Sequence, residues 1–140
     1  MSTAKNNINR KHKYFMKLAY NQAGKVLGNT GENPAVGCVI VKNNVLINLA
    51  HTKFNGRPHA ERIALSSKKI NFKDSLLYST LEPCSHYGKR PPCTDVIKKN
   101  NINASNPNII LFSNMYFFPF AIKVNLSVLL FFYNKFSLEK

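Results

Sequence analysis

The chain has 140 residues, 44% of them apolar, and this length and composition fit one compact domain with a buried core. The chain has 20 Lys and Arg against 6 Asp and Glu, which gives a formal charge of +14. Because these cations are scattered along the chain and do not form a cluster, they argue against a nucleic-acid partner. Three cysteines and a polar N-terminus argue against a disulfide framework and a secretory signal, so we expect a cytoplasmic protein.

The first half of the chain is predicted to form a helix and a hairpin. Residues 1–12 are polar and are expected to be a flexible N-terminus, and apolar residues at helical spacing predict a helix over about 11–27. Residues 36–41 are typical of a buried strand, and 45–50 of a returning strand. Asn43-Asn44 between them is a plausible tight turn, since Asn tolerates positive φ.

Further along, Pro58 suits the first turn of a helix predicted over 59–69. Residues 76–81 predict a third strand and 93–100 a short helix. This order of helices and strands favours an α/β layered domain with a mixed sheet.

Residues 103–140 differ in character, with few charges and two long apolar runs. Neither run reaches the roughly 20 residues that a spanning helix needs, so we expect no membrane attachment. We interpret 103–140 as a divergent apolar tail, which either completes the sheet or is a degenerate or frameshifted end.

Four residues carry the candidate chemistry: His59, Glu61, Cys84 and Cys93. One imidazole and two thiolates suit Zn²⁺ and leave a fourth position for water, which is typical of catalytic rather than structural zinc. Glu61 is placed to face that water as a general acid and base without being a ligand. The same signature, H-x-E followed by P-C and a second Cys, occurs in zinc deaminases. Cys38, inside an apolar strand, is expected to pack in the core.

The segment between the two cysteines bears on the substrate. Many deaminases of cytidine and of nucleic-acid bases have two residues there, whereas this chain has eight, including His86, Lys89 and Arg90. Such groups suit a substrate that carries a phosphate. Two alternatives stay open: a deaminase of bases in RNA such as tRNA, motivated by the charge, and a non-catalytic zinc-binding remnant, motivated by the tail.

Three stretches of the sequence resemble the deaminase domain of the riboflavin-biosynthesis deaminase/reductase family. They are Asn33 to Val39, His59-Ala60-Glu61 and Pro83 to Cys93, and the resemblance covers roughly residues 13–102, the expected zinc deaminase core. It implies a cytidine-deaminase-like, three-layer α/β/α fold with a central mixed sheet. It also implies hydrolytic deamination of 2,5-diamino-6-(ribosylamino)-4(3H)-pyrimidinone 5′-phosphate to 5-amino-6-(ribosylamino)uracil 5′-phosphate.

The resemblance also implies a role for each residue of the site. Glu61 would be the proton shuttle, and zinc would be held by three ligands: His59, Cys84 and Cys93. Substrate would be bound by four residues, of which the first contacts the pyrimidine or ribose and the last two the ribose phosphate: Asn33, His51, His86 and Lys89.

In most members of the family a nicotinamide-dependent reductase domain follows the deaminase. The 140 residues contain no Gly-rich dinucleotide fingerprint. We therefore expect the reductase domain to be absent and a separate reductase chain to act in the pathway. A homo-oligomer is a further expectation.

Overall fold

The computed structural model describes residues 2–88, 90–102 and 109–111. Its elements in chain order are α1 (Ser2–Gly24), β1 (Gly37–Lys42), β2 (Val45–His51), a 3-10 turn (Phe54–Gly56), α2 (Ala60–Ala64), β3 (Leu76–Ser79), α3 (Cys93–Lys99) and β4 (Ile109–Leu111). The strands form one sheet in the order β2-β1-β3-β4. Strand β1 runs antiparallel to β2 and β3, and β4 runs parallel to β3, so the predicted mixed sheet is confirmed.

Both faces of the sheet are covered, because successive side chains of a strand point to opposite faces. Val39 and Val41 of β1 face α1, where they pack with Phe15 and Met16. The alternate residues Cys38 and Ile40 face the opposite layer, which is formed by residues of α2 and α3: Ala60, Ala64 and Ile97. The three-layer α/β/α arrangement is thus confirmed, and Cys38 is a core residue as expected.

Gly37 begins β1 where α1 lies directly against the strand. A Cβ atom at this position would collide with the backbone carbonyl of Ala19. The Gly37 N–H donates to Thr80 Oγ1 (3.0 Å), and the Thr80 N–H donates back to the Gly37 carbonyl (3.1 Å). This reciprocal pair joins the start of β1 to the end of β3, so the loop before β1 and the loop after β3 lie at the same edge of the sheet.

Asn43 and Asn44 have φ values of 51° and 63°, so the tight turn predicted between β1 and β2 is confirmed. Both residues adopt the left-handed region that a type I′ hairpin turn requires.

Two predictions about helix ends are wrong. The first helix was expected to begin at about residue 11, but α1 begins at Ser2, because residues 2–12 lack Gly and Pro and extend a helix whose later turns pack on the sheet. The flexibility expected of residues 1–12 stays a prediction. Helix α2 was expected to continue to Lys69, but it ends at Ala64. There the Ser66 hydroxyl donates to the Ile63 carbonyl (2.8 Å), which another helical turn would have used.

Within the predicted tail, residues 103–140, the structure describes one short part, the strand β4. This strand pairs with β3, as a tail that contributes to the sheet would. Residues 103–108 and 112–140 lie outside the described residues. Among the described residues, no helix has the length and apolar character needed to cross a membrane.

Candidate metal centre and active site

Three predicted ligands come together from three segments of the chain. His59 immediately precedes α2, Cys84 lies in the loop after β3, and Cys93 is the first residue of α3. Their ligand atoms all lie within 4.8 Å of one another. The Nδ1 atom of His59 is 3.6 Å from the sulfur of Cys84 and 3.4 Å from the sulfur of Cys93.

These distances fit a zinc ion. Zinc bonds sulfur at about 2.3 Å and imidazole nitrogen at about 2.0–2.1 Å, so tetrahedral ligands place nitrogen and sulfur roughly 3.5 Å apart. One nitrogen and two sulfurs also form a donor set that zinc prefers. Within the described residues, the group contains no fourth His, Cys, Asp or Glu. A three-residue set of this kind leaves a coordination position for water or substrate.

The surroundings of the three side chains support them as ligands. The Cys93 N–H donates to the Cys84 sulfur (3.3 Å), and such a bond favours the thiolate form that binds metal. Burial lowers the pKa of His59, and the charges of Arg57, Arg62 and His86 lower it further. The imidazole is therefore held in the neutral form that can coordinate.

Glu61 lies in the first turn of α2, two residues after His59, and only 3% of its surface is exposed. Burial raises the pKa of its carboxyl, and hydrogen bonds from its own backbone, from Ser79 and from Cys93 oppose this shift. A carboxyl with a raised pKa suits a group that takes up and returns a proton near neutral pH.

An open cleft of about 630 Å³ lies beside the ligand group, and His59, Cys84 and Glu61 form part of its wall. Asn33 and His86, two predicted substrate-binding residues, also line this cleft.

The structure does not bring His51, another predicted substrate residue, into the wall of the cleft. His51 is absent from the residues that line it, and the His51 Nδ1 atom lies 2.9 Å from the Thr52 carbonyl oxygen. Lys89 lies outside the described residues.

The Asn33 side chain packs directly against the backbone of Gly56. The glycine has a φ of 82°, and a Cβ atom there would collide with the Asn33 side chain. The loop is also braced locally: the Thr30 hydroxyl donates to the Asn33 carbonyl (2.5 Å), and the Asn33 N–H donates to the Thr30 carbonyl (3.2 Å). The Asn33 side chain is therefore presented to the cleft from a fixed backbone.

Sequence reasoning missed three residues that the fold brings to the site. Arg57 and Glu82 line the cleft, and burial raises the pKa of the Glu82 carboxyl. Ser79 contacts Glu61 through its hydroxyl (3.2 Å). Arg57 lies two residues before His59 and Glu82 two residues before Cys84. This closeness to predicted ligands could have indicated that both residues belong to the site. Ser79 gave no such indication, because it is 18 residues from Glu61 in the chain.

The chain is similar to several known proteins. The "Riboflavin biosynthesis protein RibD" of Aquifex aeolicus is 46% identical over 90 residues, which are 64% of this chain and 25% of that protein. The chloroplastic "Riboflavin biosynthesis protein PYRD" of Arabidopsis thaliana is 37% identical over 106 residues, or 72% of this chain and 25% of that protein. The chain thus spans about a quarter of the length of these curated relatives.

A solved structure from Thermotoga maritima has the same fold. It is described as a diaminohydroxyphosphoribosylaminopyrimidine deaminase/5-amino-6-(5-phosphoribosylamino)uracil reductase. It matches with a TM-score of 0.66 and 39% identity over 73% of this chain and 29% of that one. The family model of the cytidine and deoxycytidylate deaminase zinc-binding region matches residues 9–106. The chain therefore belongs to the cytidine and deoxycytidylate deaminase zinc-binding family.

Proposed function

We propose that the chain catalyses the zinc-dependent hydrolytic deamination of 2,5-diamino-6-(ribosylamino)-4(3H)-pyrimidinone 5′-phosphate. The product is 5-amino-6-(ribosylamino)uracil 5′-phosphate, and ammonia is released. The observation that carries the proposal is the His59, Cys84 and Cys93 group with the buried Glu61 carboxyl beside it, all at one cleft. The relatives' names, which join riboflavin biosynthesis to this deaminase, support the choice of substrate.

Glu61 is the proposed proton shuttle. When bound, zinc lowers the pKa of a coordinated water to about 7 and makes it a nucleophile at neutral pH. As the water oxygen bonds to C2 of the pyrimidine, the Glu61 carboxylate accepts a proton from it. The carboxyl would pass this first proton to the ring nitrogen, and it would then carry the remaining proton of the added hydroxyl to the amino group, so that the C2–N bond breaks, a carbonyl forms at C2 and ammonia departs.

The remaining residues are proposed to bind and orient the substrate. Asn33 offers an amide, both donor and acceptor, to the pyrimidine or ribose at the cleft wall. His86 and Lys89 are proposed to hold the ribose phosphate, and Arg57, which lines the same cleft, adds a guanidinium suited to a phosphate. His51 stays a predicted substrate contact.

Replacement of Glu61 tests the function. Ammonia release from the diaminopyrimidine phosphate by zinc-loaded protein is expected to fall about 10²- to 10⁴-fold in Glu61→Gln, because general acid–base catalysis contributes that much. Zinc content should not change, since Glu61 is not a proposed ligand. The matched control is Glu32→Gln, which alters an exposed glutamate outside the cleft and should leave the rate within about two-fold.

Cytidine and an RNA oligonucleotide serve as comparison substrates in the same assay. Deamination of either in place of the diaminopyrimidine phosphate would assign the chain to another substrate class. Folded, zinc-loaded protein that releases no ammonia from any of the three would be a zinc-binding remnant and would end the proposal.

Fewer observations support a proposal about partner proteins and cellular location. The solved relative pairs a deaminase with a reductase in its name, so we propose that a reductase receives the product. Coupled turnover with an added reductase and NADPH would test this. Self-association and a cytoplasmic location stay predictions, and sedimentation measures the first.

A further inference from the structure

Ser79 lies directly behind the candidate proton shuttle. It is the last residue of β3, it is fully buried, and its Oγ atom is 3.2 Å from Oε1 of Glu61. Its backbone is fixed on both sides, because Ser79 pairs with Cys38 of β1 and with Leu111 of β4. The hydroxyl therefore reaches Glu61 from the rigid centre of the sheet.

The Ser79 side chain hydrogen-bonds the Glu61 carboxyl directly. The Cys93 thiol also lowers the pKa of this carboxyl, and Cys93 is one of the proposed zinc ligands. A cysteine that binds zinc does so as the thiolate, which has no hydrogen to donate. Of Ser79 and Cys93, Ser79 therefore is the one that keeps a hydrogen to donate to the carboxylate when zinc is bound.

The Ser79 hydroxyl has two possible acceptors and one hydrogen. Its Oγ atom lies 2.7 Å from the Leu81 carbonyl oxygen as well as 3.2 Å from Glu61. When it donates to Leu81, its lone pairs can accept from a Glu61 carboxyl that carries a proton. When it turns to the ionised carboxylate, it donates instead. The contact can therefore persist as Glu61 accepts and returns a proton.

We propose that Ser79 is a positioning residue, whose hydroxyl holds the Glu61 carboxyl in the orientation that serves the reaction. This inference rests on the proposed deaminase function. The competing role is structural: the bond to Leu81 alone would satisfy a buried hydroxyl, and Glu61 would keep its orientation without Ser79.

Kinetics with a matched pair of variants separates these two roles. Ser79→Ala is expected to lower kcat about 10- to 100-fold with KM within two-fold, because a hydrogen bond to a charged group contributes about 1.5–3 kcal/mol. Ser75→Ala is the control, since Ser75 is a fully buried serine just before the same strand, and its hydroxyl has no hydrogen-bond partner among the residues that the structure describes. It should leave kcat within two-fold. Ser79→Thr keeps the hydroxyl and should restore most of the rate.

A spectroscopic measurement tests Ser79 without turnover. The chain contains four glutamates, so side-chain carboxyl ¹³C labelling gives four NMR signals: Glu32, Glu61, Glu82 and Glu139. The Glu61 signal is identified by its loss in Glu61→Gln. In zinc-loaded protein, Ser79→Ala should shift this signal and Ser75→Ala should not. If Ser79→Ala does not fold, Ser79→Cys, which is similar in volume and a weaker donor, takes its place and should shift it too.

An unmoved Glu61 signal in the Ser79 variant would overturn the proposal, as would a loss of kcat that Ser75→Ala shares. Wild-type protein that releases no ammonia would instead overturn the proposed function. The NMR comparison would still decide the role of Ser79 in that case.

Discussion

Asn33 shows how one glycine can position a side chain for a substrate. Gly56 combines a φ of 82° with the absence of a Cβ atom, and Asn33 occupies the space that a Cβ would take. An alanine at position 56 would therefore be strained in its own backbone and would also displace Asn33 from the cleft wall.

We expect Gly56→Ala to raise KM about ten-fold and to lower the free energy of unfolding by about 1–3 kcal/mol. Gly31→Ala is the matched control, because Gly31 also has a positive φ (60°), but no atom of the described part of the chain lies within 4 Å of a Cβ there. It should show the cost in stability without the change in KM. Steady-state kinetics and denaturant unfolding measure both quantities, and equal KM values for the two variants would contradict the role of Gly56.

The three cysteines show how surroundings decide the role of a residue type. Cys38 is completely buried in β1, and burial raises the pKa of its thiol well above the usual value. Cys84 and Cys93 instead meet an imidazole at the edge of a cleft. The apolar neighbours of Cys38 in the sequence were enough to predict this difference.

At the scale of elements, the contact between α1 and β1 depends on Gly37. The helix backbone at Ala19 occupies the position that a side chain at residue 37 would need. An added methyl group must therefore move the whole helix away from the sheet, and with it the Phe15 and Met16 side chains that pack on Val39.

We expect Gly37→Ala to lower the free energy of unfolding by about 3 kcal/mol or more, as overpacking of a rigid contact does. Gly24→Ala lies at the end of the same helix, and no other described residue approaches the position of its Cβ within 4 Å, so this change should alter stability by less than about 1 kcal/mol. Urea denaturation of the two variants measures this difference. Similar losses in both would show that the close approach is not what Gly37 provides.

Elements that follow local rules could be predicted from the sequence. Asn43-Asn44 predicted the hairpin turn because Asn tolerates positive φ, and the apolar runs beside it predicted the strands. Helix ends could not be predicted equally well. The early end of α2 depends on the Ser66 hydroxyl, and the early start of α1 on helix propagation from residues that pack on the sheet.

In the candidate site, too, residues with a local sequence pattern could be predicted and residues with long-range contacts could not. His59, Glu61 and the two cysteines were found because their spacing forms a known chemical signature. Ser79 was not, because its contact with Glu61 crosses the fold. The Arg62 guanidinium makes a contact of the same long-range kind, since it donates to the Pro91 carbonyl (2.6 Å), 29 residues further along the chain.

At the scale of the whole molecule, a bound zinc would join three separate parts of the fold. One part is the start of α2, one is the loop after β3, and one is the start of α3. A ligand that binds only the folded state stabilises it by an amount that grows with its concentration relative to Kd.

Removal of zinc with a chelator is therefore expected to lower the free energy of unfolding by about 4 kcal/mol when free zinc had been near 1,000 times Kd. His59→Ala should show the lower stability from the start and no further response to the chelator. His86→Ala, an exposed histidine outside the ligand group, should respond like the wild type. Calorimetry measures the loss of stability that the chelator causes. If His59→Ala still loses stability on addition of the chelator, His59 is not a zinc ligand.

The distances along the chain between the proposed ligands have a consequence for synthesis. His59 is separated from Cys84 by 25 residues and from Cys93 by 34. A growing chain therefore lacks the complete set of ligands until translation has passed residue 93, and long-range contacts of this kind close slowly. Metal capture is then a late event in the making of the protein. The rate of zinc uptake during refolding would report when the last of these contacts forms.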